Sequence, residues 1–294
     1  SNRRSILKVR KAIIPAAGFG LRFLPATKAQ PKAMLPLVDK PQIQYVVEEA
    51  IDSGIEQFII ITGRGKEAIE NHFDISYELE DTLKRKEKEG YLELVQDISH
   101  MLKTICYVRQ KQALGLGHSI LQARHLVGDE PFAVLLPDDI IEHPTPCLGQ
   151  MLSVFERYQC SVVAVQQVPR EEVSSYGVIE HREVEQRTYH ILDMLEKPDI
   201  ESAPSDLAII GRYILTPEIF GILEQTAPGK GGEIQLTDAM AKLLKRQAIY
   251  GYQFEGTRYD AGDKLGFLKA TVAIALKKED IGPDFSKFLK ELEL

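Results

Sequence analysis

From Ala12 to Val165 the chain alternates short apolar runs with stretches of helical period, and that alternation restricts the fold more than any other feature. Ala12 to Ala16, Phe58 to Thr62, Ile105 to Val108, Phe132 to Leu136 and Cys160 to Val165 read as buried strands. Between the first two, Ile43, Val46, Val47, Ala50 and Ile51 recur at helical spacing after Pro41, and Gly54 ends the stripe. Buried strands separated by helices point to a mostly parallel sheet covered by those helices. Residues 64–103 are expected to form an all-helical excursion, with the mixed charges of Glu78 to Gly90 on a solvated face. From about Tyr176 the texture changes. Tyr176 to Glu180, Tyr189 to Leu195 and Leu207 to Leu215 read as an antiparallel addition to the sheet. Helices at about 217–225, 235–246 and 263–278 surround one more strand, Ile249 to Phe254, and an amphipathic helix, Phe285 to Leu294, ends the chain. The expected class is α/β, a Rossmann-like, mostly parallel central sheet flanked by helices with a small antiparallel addition.

Composition narrows the partners. A chain of 294 residues buries ~75% of its unfolded surface and needs no disulfide or metal staple. The 36 basic and 43 acidic residues leave a net charge of −7, which argues against nucleic acid or an anionic membrane as the main partner. No apolar run approaches the ~20 residues of a spanning helix. Cys106, Cys147 and Cys160 are widely spaced and read as reduced thiols, and the basic stretch up to Lys11 has no apolar signal core. A cytoplasmic protein is expected.

The chemistry concentrates after the first strand, at Ala16-Ala17-Gly18-Phe19-Gly20-Leu21-Arg22. Glycines here let the backbone approach a ligand and turn N–H groups toward an anion. A P-loop is excluded because Leu21-Arg22 follows instead of Lys-Ser/Thr, and a dinucleotide fingerprint fails at Phe23. Pro25, Pro31 and Pro36 prevent a through-running helix, so the loop is expected to stay extended with Arg22, Lys28 and Lys32 along it. Three cations beside a glycine turn suit a polyphosphate; the residues alone equally allow solvated loop charges. Asp138 and Asp139 follow a buried strand, at the end of an α/β sheet where ligands bind; Asp139 is expected to serve a turn or cap. The seven histidines form no metal-spaced cluster, and no G-x-S-x-G elbow exists.

Seven ordered segments carry a resemblance: KAIIPAAGFGLRFLPATKAQPKAMLPLVDKPQIQYVVEEA (11–50), VRQKQALGLGHSI (108–120), FAVLLPDDI (132–140), EKP (196–198), GRYILTPEIF (211–220), GGEIQLTDA (231–239) and RYDAGDKLGFLKA (258–270). Together they resemble the sugar-1-phosphate nucleotidylyltransferases, and within them the bacterial branch that uses UTP and glucose 1-phosphate. The resemblance implies one nucleotidyltransferase domain over 1–294, with a nucleotide-binding half at 11–170, a sugar-phosphate-binding half at 171–280 and a C-terminal helix at 281–294. It implies that Ala16, Ala17, Gly18 and Gly20 meet the nucleotide, that Gln110 and Gly115 contact the uracil, and that Arg22 and Lys32 neutralise the triphosphate. Gly177 and Glu196 would hold the sugar, Lys197 its phosphate, and Asp138 and Asp260 a Mg²⁺ ion. The implied reaction joins UTP and glucose 1-phosphate to give UDP-glucose and pyrophosphate, by in-line attack on the α-phosphorus with no general base. A homodimer or homotetramer is expected. The chain departs from the family pattern at Leu21, where Thr is usual, and at Ala33, where Glu is usual. Two other readings therefore stay open, a non-catalytic binding paralogue and an enzyme using another base, such as dTTP.

Overall fold

The protein was analysed as a computed structural model describing residues 7–292; the outer ends of the expected 1–294 domain and 281–294 helix lie outside the described residues. Thirteen strands are formed among the described residues, β1 (Lys11–Pro15), β2 (Pro36–Leu37), β3 (Lys40–Pro41), β4 (Gln57–Thr62), β5 (Ile105–Arg109), β6 (Phe132–Leu135), β7 (Asp139–Glu142), β8 (Ser161–Gln167), β9 (Gly177–Glu185), β10 (Thr188–Glu196), β11 (Leu207–Leu215), β12 (Ile249–Gln253) and β13 (Thr257–Asp260). The helices are α1 (Gln42–Asp52), α2 (Glu67–Phe73), α3 (Tyr77–Arg85), α4 (Glu89–Met101), α5 (Leu116–Leu121), α6 (Arg124–Val127), α7 (Cys147–Tyr158), α8 (Glu218–Leu223), α9 (Leu236–Leu243), α10 (Lys264–Lys277) and α11 (Gly282–Glu291).

Nine strands make the central sheet, in the order β5-β4-β1-β6-β11-β8-β12-β10-β9. β5, β4, β1 and β6 are parallel neighbours, as are β8 and β12. The sheet is covered on both faces by separate apolar clusters, one built on Ile14, Val47 and Phe155 and the other on Ile13, Phe132 and Phe220. The stripe on α1 is the expected one: Ile43, Val46, Val47 and Ala50 are fully buried. Gly54 takes φ +88° after it, and Ile55 N–H closes the helix end on the Ala50 carbonyl. The excursion at 64–103 is helical throughout α2, α3 and α4.

The antiparallel addition is present, but β11 does not sit at its edge. It lies inside the sheet, antiparallel to both β6 and β8. All nine of its residues, LAIIGRYIL, are buried, which only a central strand covered on both faces can satisfy. Two further differences shape the site. The loop after β1 is not extended: it folds as three one-turn 3₁₀ segments, Leu21–Phe23, Ala26–Lys28 and Lys32–Met34. The prolines block an α-helix but still allow single turns, and the Thr27 hydroxyl fastens the first two by donating to the Gly20 carbonyl at 2.7 Å. A ribbon of β7 and β13, unforeseen in the sequence, stands beside the main sheet and pairs Asp260 opposite Asp139.

Candidate active site

The carboxyl ends of β1 and β6 open into a cavity of about 400 Å³. Ala16, Ala17, Gly18 and Gly20 line it, together with Lys32, Ala33, Gln110, Gly115 and Asp138. A second cavity of about 320 Å³ is lined by Arg22, Gly177, Glu196, Lys197, Asp260 and again Asp138. The two share Leu116, Leu136, Asp138 and Glu233 as a common wall. Every residue that the family resemblance assigns to the site thus falls on one of two adjoining cavities. Lys28 does not; it is exposed and lines neither.

In the first cavity the local backbone explains the shape. Gly115 adopts φ +98°, and a Cβ there would stand 2.7 Å from the Glu233 Cβ, so the position requires glycine. The segment Glu233-Ile234 is zipped onto this loop by Ile234 N–H to the Leu114 carbonyl, 2.8 Å, and Gly117 N–H to the Ile234 carbonyl, 2.9 Å. Gln110 donates its amide N–H to His118 Nδ1 at 2.8 Å. Burial lowers the His118 pKa, which favours the neutral ring. The Gln110 amide oxygen is then the half of the side chain left to accept from a ligand. Ser119, 4% exposed, lines the same cavity, and its hydroxyl has no hydrogen-bond partner among the described residues.

At the shared wall, Lys32 Nζ and Asp138 Oδ2 are 2.6 Å apart. Burial would push the Asp138 carboxyl up, but the Lys32 ammonium and its hydrogen bond hold it below the ordinary carboxylate range. Asp260 Oδ1 accepts from Gly262 N–H at 2.9 Å, and Oδ2 pairs with Arg258 at 3.1 Å. Ala261 N–H reaches the Asp138 carbonyl at 2.8 Å, joining the two aspartate loops. A methyl group placed on Gly262 would lie 2.8 Å from Asp260 Oδ1 and 2.9 Å from Asp138 Oδ2, so both carboxylates face one point. No set of three or more His, Cys, Asp or Glu able to hold a metal exists among the described residues. Two hard oxygen donors without a third fit a divalent cation whose other ligands come from phosphate and water.

Several residues that build the site were not legible in the sequence. Asp139 is neither a cap nor a turn residue. It is buried, receives Arg258 at 2.5 Å and accepts from Gly211 N–H at 3.0 Å, so Asp139 and Asp260 together hold one arginine. Arg212, fully buried on β11, grips Glu49 with bonds of 2.7 to 3.1 Å. Its remaining donors hold the Leu136 and Asp139 carbonyls, which fixes the loop carrying Asp138. The motif GRYILTPEIF contained this arginine, but an apolar strand gave no sign that its charge turns inward. Lys66 is 7% exposed and donates to the Gly18 carbonyl at 2.8 Å. On the sugar side, Glu196 Oε2 accepts from the Thr237 hydroxyl at 2.7 Å, and Gly177 lies opposite Glu196 in the β9–β10 pair. Lys197 follows with φ +46° and an amide bonded to the Tyr176 carbonyl, 2.8 Å.

The nucleotidyl transferase family model matches residues 11–277. A UTP–glucose-1-phosphate uridylyltransferase of Bacillus subtilis (strain 168) is 53% identical over 285 residues, 97% of each chain. Among solved structures, a UDP-glucose pyrophosphorylase complexed with UDP-glucose is 50% identical with a TM-score of 0.85, over 92% of this chain and 100% of that one. A UTP-bound UGPase from Acinetobacter baumannii is 39% identical with a TM-score of 0.89, over 97% of this chain and 100% of that one. Sequence, fold and the two joined cavities at the sheet's carboxyl ends therefore agree, and the chain belongs to the nucleotidyl transferase family.

Proposed function

We propose that this protein transfers the uridylyl group of UTP to glucose 1-phosphate, forming UDP-glucose and releasing pyrophosphate. Relatives with that name cover nearly the whole chain, and the observation that carries the reading here is the single wall, centred on Asp138, between two adjoining cavities. UTP takes the larger cavity, with its base toward Gln110 and Gly115 and its phosphates along Ala16, Ala17, Gly18 and Gly20 toward Lys32. Glucose 1-phosphate takes the other, with its hydroxyls on Glu196, its ring against the bare backbone of Gly177 and its phosphate toward Lys197. Arg22, expected with Lys32 on the triphosphate, lines this cavity and not the first, so it is placed here on the sugar phosphate. Asp138 and Asp260 would hold a divalent cation, which we take to be Mg²⁺ and which would supply charge screening for the phosphates.

The sugar phosphate is already an anionic nucleophile at neutral pH, so no side chain need remove a proton. The chain's task is to bring two anions together in line, by positioning and by opposite charge. Lys197 and Arg22 neutralise the attacking phosphate, and Lys32 neutralises the departing one. Lys32 exchanges Asp138 for phosphate as the nucleotide enters. The two regions, 11–170 and 171–280, act as nucleotide and sugar halves of one unit. We further take the chain to associate as a homodimer or homotetramer through the apolar surface of α10 and α11, where Leu265, Leu268 and Phe288 are more than half exposed.

Pyrophosphate release measured with glucose 1-phosphate and each of UTP, dTTP, ATP, CTP and GTP tests this. UTP is expected to support turnover well above the rest. Release only with dTTP would move the assignment to another base, and no release with any nucleotide would favour a binding role.

A further inference from the structure

The turn after β4, Gly63-Arg64-Gly65-Lys66, lies directly under the glycine loop. A Cβ on Gly63 would meet the Ala17 carbonyl at 3.3 Å, and Lys66 Nζ donates to the Gly18 carbonyl at 2.8 Å. Lys66 is nearly buried, yet no carboxylate lies within ion-pair distance of it among the described residues. Burial and the nearby Lys32 charge both lower its pKa. A buried ammonium with one carbonyl partner and a like charge beside it is electrostatically uncompensated. Asp138, the one carboxylate in contact with Lys32, does not reach Lys66.

We propose that Lys66 is a positioning residue of the nucleotide site: it fixes the Gly18 carbonyl and leaves a positive charge that the incoming triphosphate, not the protein, balances. The inference rests on reading this cavity as the UTP site. Tethering the Gly18 carbonyl toward Lys66 orients the peptide groups of the loop, and the charge acts on the phosphates from beneath it. The bound anion removes the strain of two adjacent cations, so Lys66 favours the loaded state more than the empty one.

The test compares UTP with uridine, which has the same base and no phosphate. Lys66→Met removes both tether and charge; Lys66→Gln keeps an N–H for the Gly18 carbonyl and removes the charge. Calorimetric titration of both variants is expected to show UTP affinity reduced about tenfold with uridine affinity unchanged, because only the charged ligand loses a counter-ion. Without ligand, the melting temperature of both should equal or exceed that of the unaltered protein. Equal losses for UTP and uridine, or a fall in melting temperature with the UTP-to-uridine affinity ratio intact, would show a structural lysine and overturn the proposal. If the unaltered protein failed to bind UTP, the uridylyl reading would fall with it. UTP binding by the unaltered protein, undiminished in both variants, would sink this inference alone.

Discussion

Lys32 and Asp138 illustrate how a single side chain holds two roles. At 2.6 Å each is the other's counter-ion, and on the proposed reading each exchanges that partner, Lys32 for phosphate and Asp138 for a cation. Lys32→Ala is therefore expected to lower kcat by roughly 100-fold while changing KM for UTP far less, since the charge matters most as the pyrophosphate leaves. Lys197→Ala should raise KM for glucose 1-phosphate by about tenfold and lower turnover, the loss of one charged hydrogen bond at a half-exposed position. Steady-state kinetics with each substrate varied separates the two. His118 gives a pH signature. Its pKa is lowered from 6.5, so the unfolded chain takes up this proton before the folded one does as pH falls. Folding and base binding are both favoured as pH rises through that window, and both weaken in acid. A protonated ring would present N–H from Nδ1 to the Gln110 amide N–H and force that amide to turn over. KM for UTP, measured from about pH 5 to 8, is expected to climb below the ordinary histidine value.

Among the elements, the β7–β13 ribbon decides whether a site exists at all. It brings Asp260 alongside Asp139 in register, across 120 residues of chain that the sequence could not join. Gly262→Ala would push a methyl group between Asp138 and Asp260, and kcat/KM is expected to drop roughly 100-fold while circular dichroism and melting temperature stay near those of the parent. Arg212 works from the opposite side. Replacing it by Met strands Glu49 in the core, and urea unfolding is expected to register a loss of ~3–5 kcal/mol. These elements also mark what the sequence disclosed. The strand at Phe132, the glycine loop and the α1 stripe were readable because apolar period and glycine placement report local geometry. Asp139-Ile-Ile-Glu and Thr-Arg-Tyr-Asp260 were not, because four-residue strands flanked by charges carry no distinguishing period. The inward charge of Arg212 and the inward reach of Lys66 depend on long-range partners, Glu49 and Gly18, which no local pattern announces.

At the scale of the molecule, the expected assembly can be checked directly. Light scattering coupled to gel filtration is expected to give two or four times the mass of one chain. Removing residues 283–294 should reduce that number, because it strips the exposed Phe288 and most of α11 from the proposed interface. A full-length protein eluting as one chain would refute the association. No described helix is long and apolar enough to cross a membrane. The placement of β11 bears on how the chain is made. β6 and β8 are not neighbours; each borders the strand that runs from Leu207 to Leu215. Until that later segment has been made, β6 and β8 each keep an open flank, so the two parts of the sheet are joined only when their shared middle strand is in place.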